Sequence, residues 1–179
     1  MKGKVSMNTF SKLAIVSMLV GMSGLANASE SSGSLTVTGT IESSISLTIE
    51  SAGGTTAGTG TEAAVSALGS IAKYGAAPTG FTLARGASNW TLSSTVGVKV
   101  EKANLTSTDY TLTAQLGVAP ASGVTWKLNG STLSDSAATT LTSTGTYGST
   151  GSYSWDIVIA DSAAAAAIDN VINFTATSN

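Results

Sequence analysis

Hydrophobic and polar residues alternate with a period of two along most of this chain. The longest example is Ser34 to Glu50, SLTVTGTIESSISLTIE, where Leu35, Val37, Ile41, Ile45, Leu47 and Ile49 take odd positions and only Gly39 and Ser43 interrupt the row. Every even position there is Ser, Thr or Glu. A period of two sends successive side chains to opposite faces of a strand, so one face of this run is built to meet a core and the other water. At about 3.3 Å per residue the run spans roughly 55 Å, far beyond an ordinary strand of five or six residues. It therefore either bends at Gly39 or Ser43 into two strands, or gives its first half to a neighbouring molecule.

The same alternation recurs downstream. Phe81-Thr-Leu83, Trp90-Thr-Leu92, Val96-Gly-Val98-Lys-Val100, Tyr110 to Leu116, Val124 to Leu128 and Tyr153 to Ile159 each read as strands. A weaker one surrounds Leu141. The last, Val171 to Thr177, puts either Ile172, Phe174 and Ala176 or Val171 on its inner face. Asn129-Gly130 is a strong hairpin signal, because a type I′ turn needs positive φ at both central residues. Ala52-Gly53-Gly54 breaks the first run, and residues 51–60 read as a mobile loop. Thr61 to Gly75 fits a short helix capped by Thr61, with Val65, Leu68 and Ile71 on one face, or a strand from about Leu68 to Lys73 after one helical turn. Gly69 disfavours the helix by about 1 kcal/mol relative to Ala, which tips the reading to the strand. Ala163 to Ala167 predicts one helical turn between sheets. Eight or more short strands about ten residues apart, with no long helix, argue for an all-β, immunoglobulin-like antiparallel β-sandwich; a closed barrel is the alternative. Trp90, Tyr110, Trp126, Tyr153, Trp155 and Phe174 supply its large core side chains.

The N-terminus carries a different signal. Lys2, Lys4 and Lys12, the apolar Leu13 to Met22 and the Ala26-Asn27-Ala28 site form a secretory signal peptide over residues 1–28, with Ser29 the mature start. Its apolar core is too short to span a bilayer, so no membrane span is expected after cleavage. Residues 29–179 then make a single domain, long enough to bury a core without staples. The mature chain keeps five basic against ten acidic residues, a net charge of −5. Lys73, Arg85, Lys99, Lys102 and Lys127 are scattered, which excludes a nucleic-acid partner.

Catalytic chemistry is not visible. The chain has no histidine and no cysteine, which removes the usual general base, the Ser-His-Asp triad, thiol nucleophiles and the commonest zinc ligands. Asp156, Asp161 and Asp169 are near one another in sequence, yet read best as an outward strand position and two turn or cap residues. No D-x-D-x-D-G calcium loop and no G-x-x-x-x-G-K-[ST] phosphate loop occurs. No enzyme activity, metal or cofactor is expected. The sequons at Asn89, Asn104, Asn129 and Asn173 are near chance in so Ser- and Thr-rich a chain.

The opening run resembles the mature N-terminus of chaperone–usher pilins and related spore-coat-type secreted sandwiches. There, a short polar leader precedes an alternating donor strand with a glycine part-way along, and the first strand of the domain follows directly. Leu35, Val37, Gly39 and Ile41 match the donor positions within residues 34–42, with Gly39 at the small one, and Ile45 stands where the family often has a cysteine. The resemblance implies an incomplete immunoglobulin-like fold that a strand from the next subunit completes. It also implies export through the periplasm with a chaperone and an outer-membrane usher as partners, and a homo-polymer in a cell-surface fimbrium. The alternative is a secreted, monomeric immunoglobulin-like surface or carbohydrate-binding module, which requires an exposed row of aromatics.

Overall fold

A computed structural model describes residues 35–179; the expected signal peptide over residues 1–28 and the polar stretch to Ser34 lie outside the described residues. The chain divides into two units at Gly39–Thr40. In the first, Leu35–Gly39 takes no strand conformation. The second is all-β and antiparallel, with no helix among the described residues, and hence none long and apolar enough to cross a membrane.

Its central strand is β5 (Asn89–Ala103), fifteen residues long, in which the two alternating stretches at Trp90 and Val96 are in phase and fuse. The even positions Trp90, Leu92, Val96, Val98 and Val100 are buried while Thr91, Lys99 and Glu101 face outward. Because β5 is so long, two strands share one of its edges. β1 (Ser44–Ser51) pairs with Gly97 to Ala103, and β4 (Thr82–Arg85) pairs with Trp90 to Ser93. On the other edge lies β10 (Thr150–Ala160), followed by β7 (Val124–Leu128) and the two-residue β8 (Ser131–Thr132). The β7–β8 turn is the Asn129-Gly130 hairpin, with φ of +48° and +77° as a type I′ turn requires. A second sheet has β6 (Asp109–Leu116) between β11 (Ile172–Ser178) and β9 (Thr139–Thr146). Alternation sends Tyr110, Leu112, Ala114 and Leu116 inward from β6, and together with Trp126, Leu128, Trp155 and Ile157 they form one core between the sheets, as in a β-sandwich.

Several local expectations are corrected. Residues 51–60 are not all loop, since β2 (Thr55–Ala57) pairs with β3 (Val65–Ala67) as a small separate ribbon. Leu68 to Lys73 is not a strand, and no helical turn precedes it. Side chains hold its C-terminal end instead: Arg85 donates from Nε to the Lys73 carbonyl and from Nη2 to the Gly75 carbonyl at 2.9 Å, and the Lys73 ammonium pairs with Asp161 at 2.8 Å. Leu68 and Ile71 pack on the core from this irregular path. Ala163 to Ala167 forms bends and irregular backbone rather than helix. Five residues cannot recover the cost of nucleating a helix, whatever their propensity.

Candidate functional site

The opening alternation divides at Ser43. From Ser44 onward it is β1, with Ile49 buried and Ile45 and Leu47 half-buried against the core. Before it, Leu35, Val37 and Ile41 are 89%, 83% and 83% exposed, and a Cβ built on Gly39 meets nothing within 4 Å. No residue from Leu35 to Ser43 pairs with a strand. Three large aliphatic side chains on one alternating face are thus left in water, against the trend that buries such residues. Asn104, at φ +56°, donates from Nδ2 to the Glu42 carbonyl at 3.2 Å, fixing the backbone just before β1.

The second feature is the outer edge of β11. Its inward side chains oppose β6 in register: Ile172 with Leu116, Phe174 with Ala114, Ala176 with Leu112, Ser178 with Tyr110. The β6 members are fully buried, whereas Ile172, Phe174, Ala176 and Ser178 are only half-buried. Among the described residues no strand pairs with the other side of β11. β1, the edge strand of the facing sheet, runs beside it, and Ile45 and Leu47 are half-buried too. The two edges therefore bound a seam where apolar side chains from both sheets are incompletely covered and one row of backbone N–H and C=O groups is free.

The other candidate chemistry does not assemble. Asp156 lies outward on β10 opposite Lys127, Asp161 is paired with Lys73, and Asp169 is exposed in the β10–β11 connection. Among the described residues no three acidic side chains come close enough to hold a metal ion. Of the six in-phase aromatics, Trp90, Tyr110, Trp126, Tyr153 and Trp155 are buried and Phe174 half-buried, so they form no exposed row. Tyr110 and Tyr147 approach to 5.1 Å between ring centroids, with the Lys102 ammonium 5.0 Å from the Tyr147 ring. Burial, and secondarily the neighbouring phenol, pushes the Tyr110 and Tyr153 hydroxyls above the usual tyrosine range.

The sequence pattern left residues 34–42 as either a second strand of the same sheet or a segment for a neighbour, and it carried no sign of the open edge. Alternation in Ile172-Asn-Phe174-Thr-Ala176 is what any sheet strand needs, and nothing in it marks an absent neighbour. No known protein family matches this chain, and no curated protein or solved structure is significantly similar to it.

Proposed function

We propose that this protein is a secreted, non-enzymatic structural subunit of an extracellular fibre or pilus-like surface assembly, polymerising by N-terminal strand exchange. The observation that carries the reading is the coexistence, in one chain, of an exposed unpaired alternating segment at Leu35–Ile41 and an unpaired, half-buried edge at β11. The strand order supports it. On this reading β1-β5-β10-β7 would correspond to the A-B-E-D sheet of an immunoglobulin sandwich and β11 beside β6 to F and C, with β9 an added strand on the far side of β6. The place of G, on the outer side of β11, is the one that the Leu35–Ile41 segment of another copy would fill. Residues 34–42 then act as the donor strand, with Leu35, Val37 and Ile41 entering the seam and Gly39 giving room where the strand crosses closest.

Docking three aliphatic side chains is worth about 1.5 to 3 kcal/mol each before the entropy of association, and the ladder along β11 adds backbone hydrogen bonds. An open edge and an exposed aliphatic segment are also aggregation hazards in transit. That is the physical need a periplasmic chaperone and an outer-membrane usher would meet on the way to the cell surface. The carbohydrate-module reading loses support because its in-phase aromatics are spent on the core, and Tyr74 is a single exposed ring rather than a row.

Val37→Asp places a charge where burial without a partner abolishes docking, while Thr38→Asp alters the opposite face. The expected result by size-exclusion chromatography is a folded, monomeric Val37→Asp subunit beside polymers of wild type and Thr38→Asp. Wild-type protein that stays monomeric at high concentration would sink the reading.

A further inference from the structure

We propose that the end of the sandwich carrying Val118 and Val171 is a second contact surface for another copy of this chain, so that subunits stack head to tail with this end against the next copy's Ser44 and Asn104–Asp109 end. The inference rests on the strand-exchange reading above and adds to it a contact that the exchanged segment does not make.

The patch is assembled from two connections. Val118 lies after β6 and Val171 just before β11, and they are 57% and 61% exposed. Their backbones are pinned together: Gly117 N–H donates to the Val171 carbonyl at 2.8 Å, and Asn170 Nδ2 donates to the Val118 carbonyl at 3.0 Å. A Cβ on Gly117 would stand 3.2 Å from that of Val171. The stretch Gly117 to Val124 carries no charge; on the neighbouring connection Asp161 is paired with Lys73, and the exposed Asp169, two residues before Val171, puts a carboxylate at the rim of the patch. Two aliphatic side chains are thus held in water by a fixed backbone rather than by a loose loop.

The occupant follows from strand direction. β11 runs from Ile172, at the valine end, to Ser178, at the end where Ser44 opens β1 opposite Ala103 and Asn179 N–H meets the Asp109 carbonyl. Every strand pair in this fold is antiparallel, and antiparallel pairing is the slightly stronger kind. A donor antiparallel to β11 travels toward Ile172 and leaves the seam at the valine end. Only Glu42 and Ser43 separate Ile41 from β1, and three extended steps reach about 10 Å. The donating copy's own Ser44 end must therefore sit directly on the valines. That end offers an open cleft lined by Leu105–Asp109, Ser178 and Asn179, with Leu105 its apolar member. Parallel insertion would instead bring two Ser44 ends together, a like-to-like contact that favours closed pairs over an open fibre.

The test is the full-length double variant Val118→Asp/Val171→Asp, with the exposed Val65→Asp as control. Sedimentation gives the concentration at which polymer appears. Fluorescence anisotropy gives the affinity of a labelled peptide of residues 34–42 for the Val37→Asp chain, with and without the two valine changes. The expected result is an onset raised about tenfold or more, the equivalent of about 1.4 kcal/mol, with unchanged peptide affinity and no shift from Val65→Asp. An onset equal to that of a polymerising wild type overturns the end contact and leaves strand exchange standing. Loss of peptide affinity alongside polymer, or an equal shift from Val65→Asp, overturns it as well. A wild type that forms no polymer removes both.

Discussion

Trp155 lies between Phe81, edge-on with ring centroids 5.1 Å apart, and Trp126, stacked at 6.1 Å. Its phase with Tyr153 and Ile157 was enough to place it inward from sequence, and it is buried. Its indole Nε1 is also buried and meets no protein hydrogen-bond partner among the described residues, so packing is the contribution on view. Trp155→Ala should therefore destabilise the fold by about 3 to 5 kcal/mol, while Trp155→Phe, which gives up no hydrogen bond, should cost distinctly less. Urea unfolding of the two variants checks this; a loss in Trp155→Ala no larger than a surface change gives would mean the β10 register is wrong.

Among elements, the instructive contrast lies between those where alternation sufficed and those where tertiary partners decided. β6, β7 and β10 appear where the period of two put them, because each has a full apolar row to bury on one face. Leu68 to Lys73 has apolar residues yet pairs with no strand, and its C-terminal end is held by Arg85, whose own position depends on β4 being paired to β5. β9 shows a similar dependence on a distant residue. A Cβ on Gly145 would run into the Tyr110 ring, so the glycine lets β9 lie against that side chain. Gly145→Ala should cost about 1 to 3 kcal/mol through overpacking. Adding Tyr110→Leu should recover part of it; a double-mutant cycle in thermal unfolding with no coupling would place the strain elsewhere.

At the scale of the whole molecule, stability should respond to alkali through the buried phenols. Tyr110 and Tyr153 are held above the usual tyrosine pKa of about 10, with desolvation the larger cause. The unfolded chain then loses these protons at lower pH than the folded one. Their contribution is whole below about pH 10 and declines as pH rises through the folded-state values. Urea midpoints should be level to about pH 9.5 and fall beyond, with Tyr110→Phe/Tyr153→Phe flattening the decline. A wild-type midpoint that stays level past pH 11 would remove the assignment.

The sequence by itself determined the all-β class, the phase of the main strands, the Asn129-Gly130 turn and most of the core, because a period-two pattern and positive-φ turn residues are local properties. It marked Leu35, Val37 and Ile41 as one apolar face without saying whether that face is covered. Tertiary structure decided that the alternating run becomes a strand only from Ser44, that β1 and β4 share one edge of β5, and that among the described residues β11 has no neighbour on the side away from β6. It also joined Val118 to Val171 across more than fifty residues of chain. These are facts about which strands meet. Pairing depends on the free energy of all competing partners together, and each strand's own residues record only that it is fit to pair.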